Sequence, residues 1–243
     1  MIKFFRKIRY QLLGEGKTGK YLLYAIGEII LVVIGILIAL SINNWNEWKK
    51  ERVRETSLLF DLKDNLERNI VLAKDGISEI EEINRSSEIT IQFIEQKLPY
   101  SDSLHYHFGE MGRSGSFIVD LNKDGYESYK NIGFEILSSK SLKNEILTLF
   151  EVSYKKYESE INVTNAIWGS DPFWWKDYFI DNMELGMIPI DYTKIQRNND
   201  VLNYVSVLFQ QRITIIEKLE FVITESERVL QLIKDEMGES DAE

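Results

Sequence analysis

The chain contains one long apolar run and three stretches in which apolar residues recur at every third or fourth position. The apolar run extends from Tyr21 to Ile42, and Glu28 is its single charged residue. At about 1.5 Å per residue, a helix of this length reaches about 33 Å, which matches the hydrocarbon core of a bilayer. The pattern therefore predicts a transmembrane helix over residues 21–42.

The three periodic stretches predict long amphipathic helices after this span. They cover residues 54–98, residues 141–164 and residues 199–238. Pro99 ends the first of them, and Gly76 inside it is a candidate kink. Because none of these helices can bury its apolar face alone, the predicted fold class is all-α: one transmembrane helix followed by an extracytoplasmic antiparallel bundle of long helices.

Glycine and proline mark the connections between these helices. Residues 99–125 are expected to be loop, and so are the residues around 186–189. Ser141 is the expected N-cap of the second long helix. Asp171 and Pro172 fit the cap and first position of a short helix, which would lie before the second of these loops.

The distribution of charge predicts the orientation of the span. Residues 1–20 carry six basic residues and one acidic residue, whereas the whole chain has a net charge of -10. Basic residues concentrate on the cytoplasmic side of membrane proteins, and tryptophans such as Trp45 and Trp48 favour the headgroup region. We expect residues 1–20 to be a basic amphipathic cytoplasmic segment, residues 21–42 the transmembrane helix and residues 43–243 an extracytoplasmic helical-bundle domain.

A cleaved signal peptide is the alternative to an anchor. Ala39-Leu40-Ser41 has the small residues of a cleavage site. However, the apolar run begins as early as Tyr21, and a helical pattern continues past the site without a linker. Both features favour an anchor that stays on the protein.

The composition argues against several classes of function. The chain has no cysteine, which excludes a disulfide framework, a thiol nucleophile and a cysteine-based metal site. The acidic body lacks the basic patches that nucleic acid requires. No phosphate loop, nucleophile elbow or HExxH motif is present, so we expect no enzyme activity and no cofactor. The expected partners are the lipid bilayer and a protein, either a second copy or another chain.

Glu28 is the first candidate for a functional residue. A carboxylate at the centre of a bilayer costs about 2.5–3.5 kcal/mol, so such residues usually have a partner or a function. Gly27 beside it permits close approach of another helix, and Gly35 and Ala39 form a small-xxx-small pair. One interpretation is an assembly contact. A second is proton handling, since the layout is similar to that of stator-type subunits of proton-driven motors. The third is a passive position near the inner interface.

An aromatic cluster between residues 168 and 179 is the second candidate. Its members are Trp168, Phe173, Trp174, Trp175, Tyr178 and Phe179. Such a cluster can line a ligand pocket or dock a protein partner. It can equally be an ordinary part of the core.

One loop resembles a calcium-binding loop in part. Asp120, Asn122 and Asp124 occupy the first, third and fifth positions of that pattern, but Asn131 stands where a bidentate glutamate is needed. The alternative is an Asp-Gly turn that leads into a helix over residues 126–132. We therefore assign no metal site to this loop.

The two histidines are a weaker candidate. His105 and His107 would share a face only if their segment were extended. A metal site there would need further ligands, which the sequence does not identify.

The amino-terminal fifth of the chain resembles a known family. "KYLLYAIGE" over residues 20–28 and "NNWNE" over residues 43–47 resemble the signature of DUF6090, a bacterial family of single-pass membrane proteins of unknown function. Residues 126–157 resemble the family more loosely. The resemblance implies a location in the bacterial inner (cytoplasmic) membrane with the bulk of the chain extracytoplasmic. It implies no activity, cofactor or catalytic residue.

These observations together predict a membrane-anchored helical bundle that binds or organises protein partners at the cell envelope. The alternative is a sensory or small-ligand-binding domain outside the membrane. A sensor of this kind would act through a separate transducing subunit, because only about 20 residues precede the span.

Overall fold

Helix dominates the computed structural model, which confirms the predicted all-α class. The chain divides into two compact units, Met1–Glu55 and Thr56–Glu243. The predicted amphipathic segment lies almost entirely outside the described residues. The structure describes residues 18–113, 119–170, 174–182 and 184–238.

Helix α1, Thr18–Glu95, contains the apolar run and the first periodic stretch. The large apolar side chains described between Leu22 and Ile42 are exposed. By length and composition, α1 is the one helix among the described residues that is apolar and long enough to cross a membrane. It ends slightly before the predicted boundary, because Lys97 adopts a φ of 50° and the chain turns away before the proline.

The second predicted helix is present but is built from three segments. These are α4 (Lys140–Thr148), a π-helical segment (Leu149–Tyr154) and α5 (Lys155–Ser170). Ser139, rather than Ser141, is the N-cap, and its Oγ accepts a hydrogen bond from the Leu142 N–H at 3.3 Å. Ser141 is not the cap because the helix begins one residue before it.

The expected loop over residues 99–125 is wrong in part, since it contains helix α2, Leu104–Arg113, and the start of α3, Asp124–Ile132. In α2 the buried residues are Leu104, Phe108 and Met111, spaced by four and three positions. The length of ten residues and the glycine at position 109 obscured this short stripe in the sequence. A 3₁₀ turn over Phe134–Ile136 follows α3.

A small β-hairpin was not predicted. A 3₁₀ turn, Trp174–Asp177, leads into β1, Phe179–Asn182, which pairs antiparallel with β2, Gly186–Pro189. The side chain of Asn182 accepts hydrogen bonds from the N–H groups of Glu184 and Leu185 at 3.0 and 3.1 Å, which closes the turn. The predicted helix start at residues 171–172 lies outside the described residues.

The third long helix is confirmed. It is α7, Asn199–Met237, and it follows the short helix α6, Tyr192–Arg197. The Asn198 side chain caps α7 by accepting from the Asp200 N–H at 3.0 Å. At the other end Gly238 has a φ of 74°, the left-handed conformation that commonly ends helices.

The described residues of the unit Thr56–Glu243 form two apolar cores. The larger one joins the middle of α1 to α3, α4, α5 and the second half of α7. Gly76 contributes to it by packing, because a Cβ there would lie 2.1 Å from Val119 Cγ2. The smaller core joins the end of α1 to α2, the hairpin, α6 and the start of α7. Its buried members are Ile94, Leu104, Phe108, Met111, Phe179, Met187, Ile195, Val201 and Val205.

Candidate functional site

A cleft of about 540 Å³ lies between helix α2 and the β-hairpin. It is open to solvent and stands beside the smaller core. Its lining comes from α2, from the 3₁₀ turn and from both strands with their connecting turn. The lining residues used below are Tyr106, Glu110, Trp175, Asp181, Glu184 and Leu185.

Two glycines place the hairpin against α2. A Cβ at Gly109 would lie 3.0 Å from the Gly186 Cα, and a Cβ at Gly186 would lie 2.2 Å from a carbonyl oxygen of α2. Gly186 also has a φ of 95°, which a residue with a side chain adopts only at a cost. Below them the rings of Phe108 and Phe179 pack with centroids 4.8 Å apart. The walls of the cleft are therefore fixed by backbone contact and a buried aromatic pair.

The cleft is acidic. Glu110, Asp181 and Glu184 line it, and no lysine or arginine does so in the part of the chain that the structure describes. Trp175 and Tyr106 add aromatic surface, on which cations pack favourably. No group of three or more His, Asp or Glu residues is placed to hold a metal ion within the described ranges. An acidic lining with aromatic rings is complementary in charge to an organic cation.

The described members of the predicted aromatic cluster have different positions. Trp175 is half-buried and lines the cleft, whereas Phe179 is buried in the smaller core. The Tyr178 hydroxyl donates to Asp200 Oδ2 at 2.8 Å and accepts from Asn198 Nδ2 at 2.9 Å. The bond to Asp200 raises the pKa of Tyr178. Phe173 and the side chains of Trp168 and Trp174 lie outside the described residues.

The partial calcium-loop match has a structural explanation in hydrogen bonds. Asn122 Oδ1 accepts from Asn65 Nδ2 at 2.8 Å and from the Asp124 N–H at 2.7 Å. Asn122 Nδ2 donates to Asp124 Oδ2 at 2.9 Å. These bonds occupy oxygen atoms that a calcium loop would offer to the ion. Helix α3 then begins at Asp124 and ends before Gly133, as the turn-and-helix alternative predicts.

The two histidines do not share a face. They lie in helix α2 and not in an extended segment, and residues two positions apart on a helix point in different directions. His105 Nε2 forms a hydrogen bond with the Tyr100 hydroxyl, whereas His107 Nδ1 lies 3.1 Å from Ser86 Oγ. Burial lowers the pKa of His107, and the charge of Glu110 partly opposes that shift.

The predicted membrane and assembly residues lie on an open helix surface. A Cβ at Gly27 or Gly35 would meet nothing within 4 Å, and Ala39 is exposed one turn after Gly35. Trp45 and Trp48 are exposed at the end of the apolar run. This surface is therefore accessible to lipid or to another helix. The roles of these residues and of Glu28 stay predictions.

Most cleft residues were missed from the sequence. Glu110, Asp181 and Glu184 looked like ordinary solvated acids, and only the hairpin brings them together. One signal was present in "FIDNMELGMIP", where Asn182 and Gly186 bracket a turn between two short apolar segments. That signal predicts a hairpin but not its contact with α2.

Within the described residues, the fold and the cleft define a helical protein with one candidate membrane-spanning helix and an acidic cleft beside a β-hairpin. The sequence profile of DUF6090, described as a family of unknown function, matches residues 28–164. This range is more than half of the chain, so the protein belongs to that family. The hairpin lies beyond the matched range. No curated protein and no solved structure matches the chain.

Proposed function

We propose that the apolar part of α1 anchors this protein in the bacterial inner membrane. Exposed apolar side chains between Leu22 and Ile42 support this, because water would solvate such a surface poorly. The basic residues of segment 1–20 favour a cytoplasmic amino terminus, which places residues 43–243 outside the cytoplasm. The small-residue face at Gly35 and Ala39 is the proposed site of self-association.

We further propose that the cleft between α2 and the hairpin binds a positively charged segment of a partner protein. The observation that carries this proposal is the combination of three acidic side chains, two aromatic rings and no basic residue among the described lining. The carboxylates attract a lysine or arginine, and Trp175 offers its ring to the same cation. An acidic surface of this kind also speeds the encounter with a basic partner.

The effect of each cleft residue on peptide binding can be estimated from the type of interaction that it would make. An exposed ion pair contributes about 0.2–1 kcal/mol, so removing one cleft carboxylate should weaken binding roughly twofold. A partly buried tryptophan that contacts the partner contributes about 1–2 kcal/mol, which corresponds to about a tenfold loss on truncation. Trp175 is therefore expected to matter more than any single acid.

Peptide binding to the full chain in lipid nanodiscs tests this proposal. Fluorescence anisotropy would compare a lysine-rich peptide with a glutamate-rich peptide of the same length, at low and at high salt. The variants are Trp175→Ala and Asp181→Asn, with Phe221→Ala and Asp75→Asn as controls, since Phe221 is an exposed aromatic residue and Asp75 an exposed acid outside the cleft lining.

We expect binding of the basic peptide alone, weaker binding in high salt and a loss confined to the two cleft variants. Equal binding of both peptides would contradict the proposal. So would a loss in the Phe221→Ala control as large as that in Trp175→Ala.

Small-ligand binding is the second candidate function. The observation that favours it is the cleft volume of about 540 Å³, which falls within the range of small-molecule sites. On this alternative, a polyamine or a quaternary ammonium compound would raise the melting temperature of the full chain without any peptide. Unchanged melting across such cations would leave the peptide-binding function as the better account.

A further inference from the structure

The hydrogen bonds of the β-hairpin determine which backbone groups face its outer edges. The Ile190 N–H donates to the Tyr178 carbonyl at 2.9 Å, so these two residues form a hydrogen-bonded pair. Hydrogen-bonded and non-hydrogen-bonded pairs alternate along an antiparallel ladder. Asp181 and Met187, which lie opposite each other three positions further along, are therefore a non-hydrogen-bonded pair. Their N–H and C=O groups point outward, away from the partner strand.

The outer edge of β2 is closed to another strand. Met187 and Pro189 are the residues of β2 whose backbone faces this edge. Proline has no N–H to donate. Helix α2 lies against the other residue, since a Cβ at Gly109 would be 3.4 Å from the Met187 nitrogen. A proline and a covering helix are both features that protect a sheet edge from further pairing.

The outer edge of β1 is open at Asp181. The strand, Phe179–Asn182, contains neither proline nor lysine. Asp181 is exposed, and within the described ranges no backbone group outside the hairpin forms a hydrogen bond with it. Its N–H and C=O can therefore pair with one residue of an added strand, which would form two hydrogen bonds.

The two faces of the hairpin differ in character beside this edge. Phe179 and Met187 point into the smaller core, and Asp181 lies on the same face and lines the cleft. The opposite face carries Ile180 and Ile188, and 58% of Ile180 is exposed. Successive residues of an added strand would therefore meet a carboxylate on one face and apolar surface on the other.

We propose that the partner segment binds as a third strand on the edge of β1, with a basic residue opposite Asp181 and apolar residues on either side of it. This inference rests on the proposed peptide-binding function of the cleft and adds the conformation and the residue pattern of the ligand. Backbone pairing of this kind supplies affinity, and the alternating side chains supply specificity. Like charges opposite each other destabilise a strand pair, so Asp181 disfavours pairing with the same strand of a second copy.

Peptide binding to the full chain in nanodiscs of zwitterionic lipid tests the proposal. Fluorescence anisotropy would compare a heptapeptide in which valine and lysine alternate with a peptide of the same composition in which the lysines are adjacent. Two further versions of the alternating peptide would carry N-methyl groups, either on the lysine nitrogens or on the nitrogens of the valines that follow them. The protein variants are Ile180→Ser and its control Ile132→Ser, since both isoleucines are exposed but Ile132 lies outside the hairpin.

We expect the alternating peptide to bind more tightly than the peptide with adjacent lysines. N-methylation of the lysines should weaken binding roughly fivefold, because it removes the N–H that donates to the Asp181 carbonyl. N-methylation of the valines should leave the affinity unchanged, since their N–H groups point away from β1. Ile180→Ser should weaken binding about threefold, and Ile132→Ser should not weaken it.

Hydrogen exchange of the Asp181 amide gives a direct reading of strand pairing. This amide should exchange more slowly when the alternating peptide is bound. Unchanged exchange in the bound state, or equal losses of affinity from methylated lysines and methylated valines, would overturn strand pairing but not the binding of basic peptides. If neither unmethylated peptide bound, the proposed function of the cleft would fail, and the pairing with it.

Discussion

Asn69 holds the loop before α3 in place, and its replacement should cost more stability than replacement of its neighbour Asn65. Asn69 Nδ2 donates to the Asn122 carbonyl at 2.7 Å and to the Tyr154 hydroxyl at 3.0 Å. Asn69 Oδ1 accepts from the Asn122 N–H at 2.9 Å. Asn65 makes one such bond, to Asn122 Oδ1 at 2.8 Å. The two residues are one turn apart on α1 and are equally buried, with 1% and 2% of their surface exposed.

The difference in cost follows from the number of hydrogen bonds. Replacement by alanine removes the same atoms at both positions, so the cavity contribution is similar and largely cancels in the comparison. A net hydrogen bond is worth about 1 kcal/mol, so Asn69→Ala should lose about 2 kcal/mol more than Asn65→Ala. That difference corresponds to roughly a 30-fold change in the unfolding equilibrium constant.

Urea unfolding of the full chain in detergent, followed by near-ultraviolet circular dichroism, measures both variants against the wild type. The free energy of unfolding should decrease by the larger amount in Asn69→Ala, with an unchanged urea dependence. Equal costs for the two variants, or a larger cost for Asn65→Ala, would show that the hydrogen bonds to Asn122 and Tyr154 do not fix this loop.

Three further predictions concern other parts of the chain. Gly186→Ala should lower the free energy of unfolding by about 3 kcal/mol, and Gly133→Ala by about 1 kcal/mol. Both glycines have a positive φ, but only at position 186 would the new Cβ lie 2.2 Å from a backbone carbonyl oxygen. Equal costs would contradict the close packing of the hairpin. Burial lowers the pKa of His107 in the folded state, so on acidification the unfolded state takes up a proton at this position at a higher pH than the folded state does. The free energy of unfolding should therefore decrease as the pH drops below about 6.5. His107→Gln should reduce this loss, as measured by the melting temperature at several pH values. Gly35→Ile should reduce self-association in proteoliposomes, as measured by energy transfer, whereas Leu37→Ile on another face of the helix should not. Identical energy transfer in both variants would exclude the Gly35 and Ala39 face as the site of self-association.

The long helices were predictable because their apolar spacing directly reflects burial. Residues such as Leu62, Leu66, Ile146 and Leu219 recur at helical spacing and are all buried in the larger core. Arg212 lies seven residues before Leu219, on the same face of the last helix, and it is buried although a charged residue is not expected at such a position.

The small elements were not predictable in the same way. Helix α2 has ten residues, and the hairpin strands have four each, so neither offers enough repeats for a periodic pattern to be distinct. Their structure depends on contacts between segments far apart in sequence, such as the approach of Gly109 to Gly186. For the same reason the cleft acids, Glu110 and Asp181, gave no local signal.

The aromatic cluster illustrates why a site is harder to predict than a fold. Composition drew attention to one aromatic segment, in which Trp175 lines the cleft while Phe179 fills the smaller core. Both side chains are large and apolar, and they differ only in whether the backbone directs them toward the cleft or toward the core. The sequence therefore indicated where aromatic surface would be found, but not which ring faces solvent.

Photo-crosslinking in intact membranes tests the central claim, that the cleft binds a protein partner, most directly. A photoreactive amino acid would replace Leu185 at the cleft or Val207 on α7, both of which are exposed. We expect a discrete protein adduct at position 185 that decreases when Trp175→Ala is added, and no such adduct at position 207. No adduct at 185, or the same adducts at both positions, would contradict that claim.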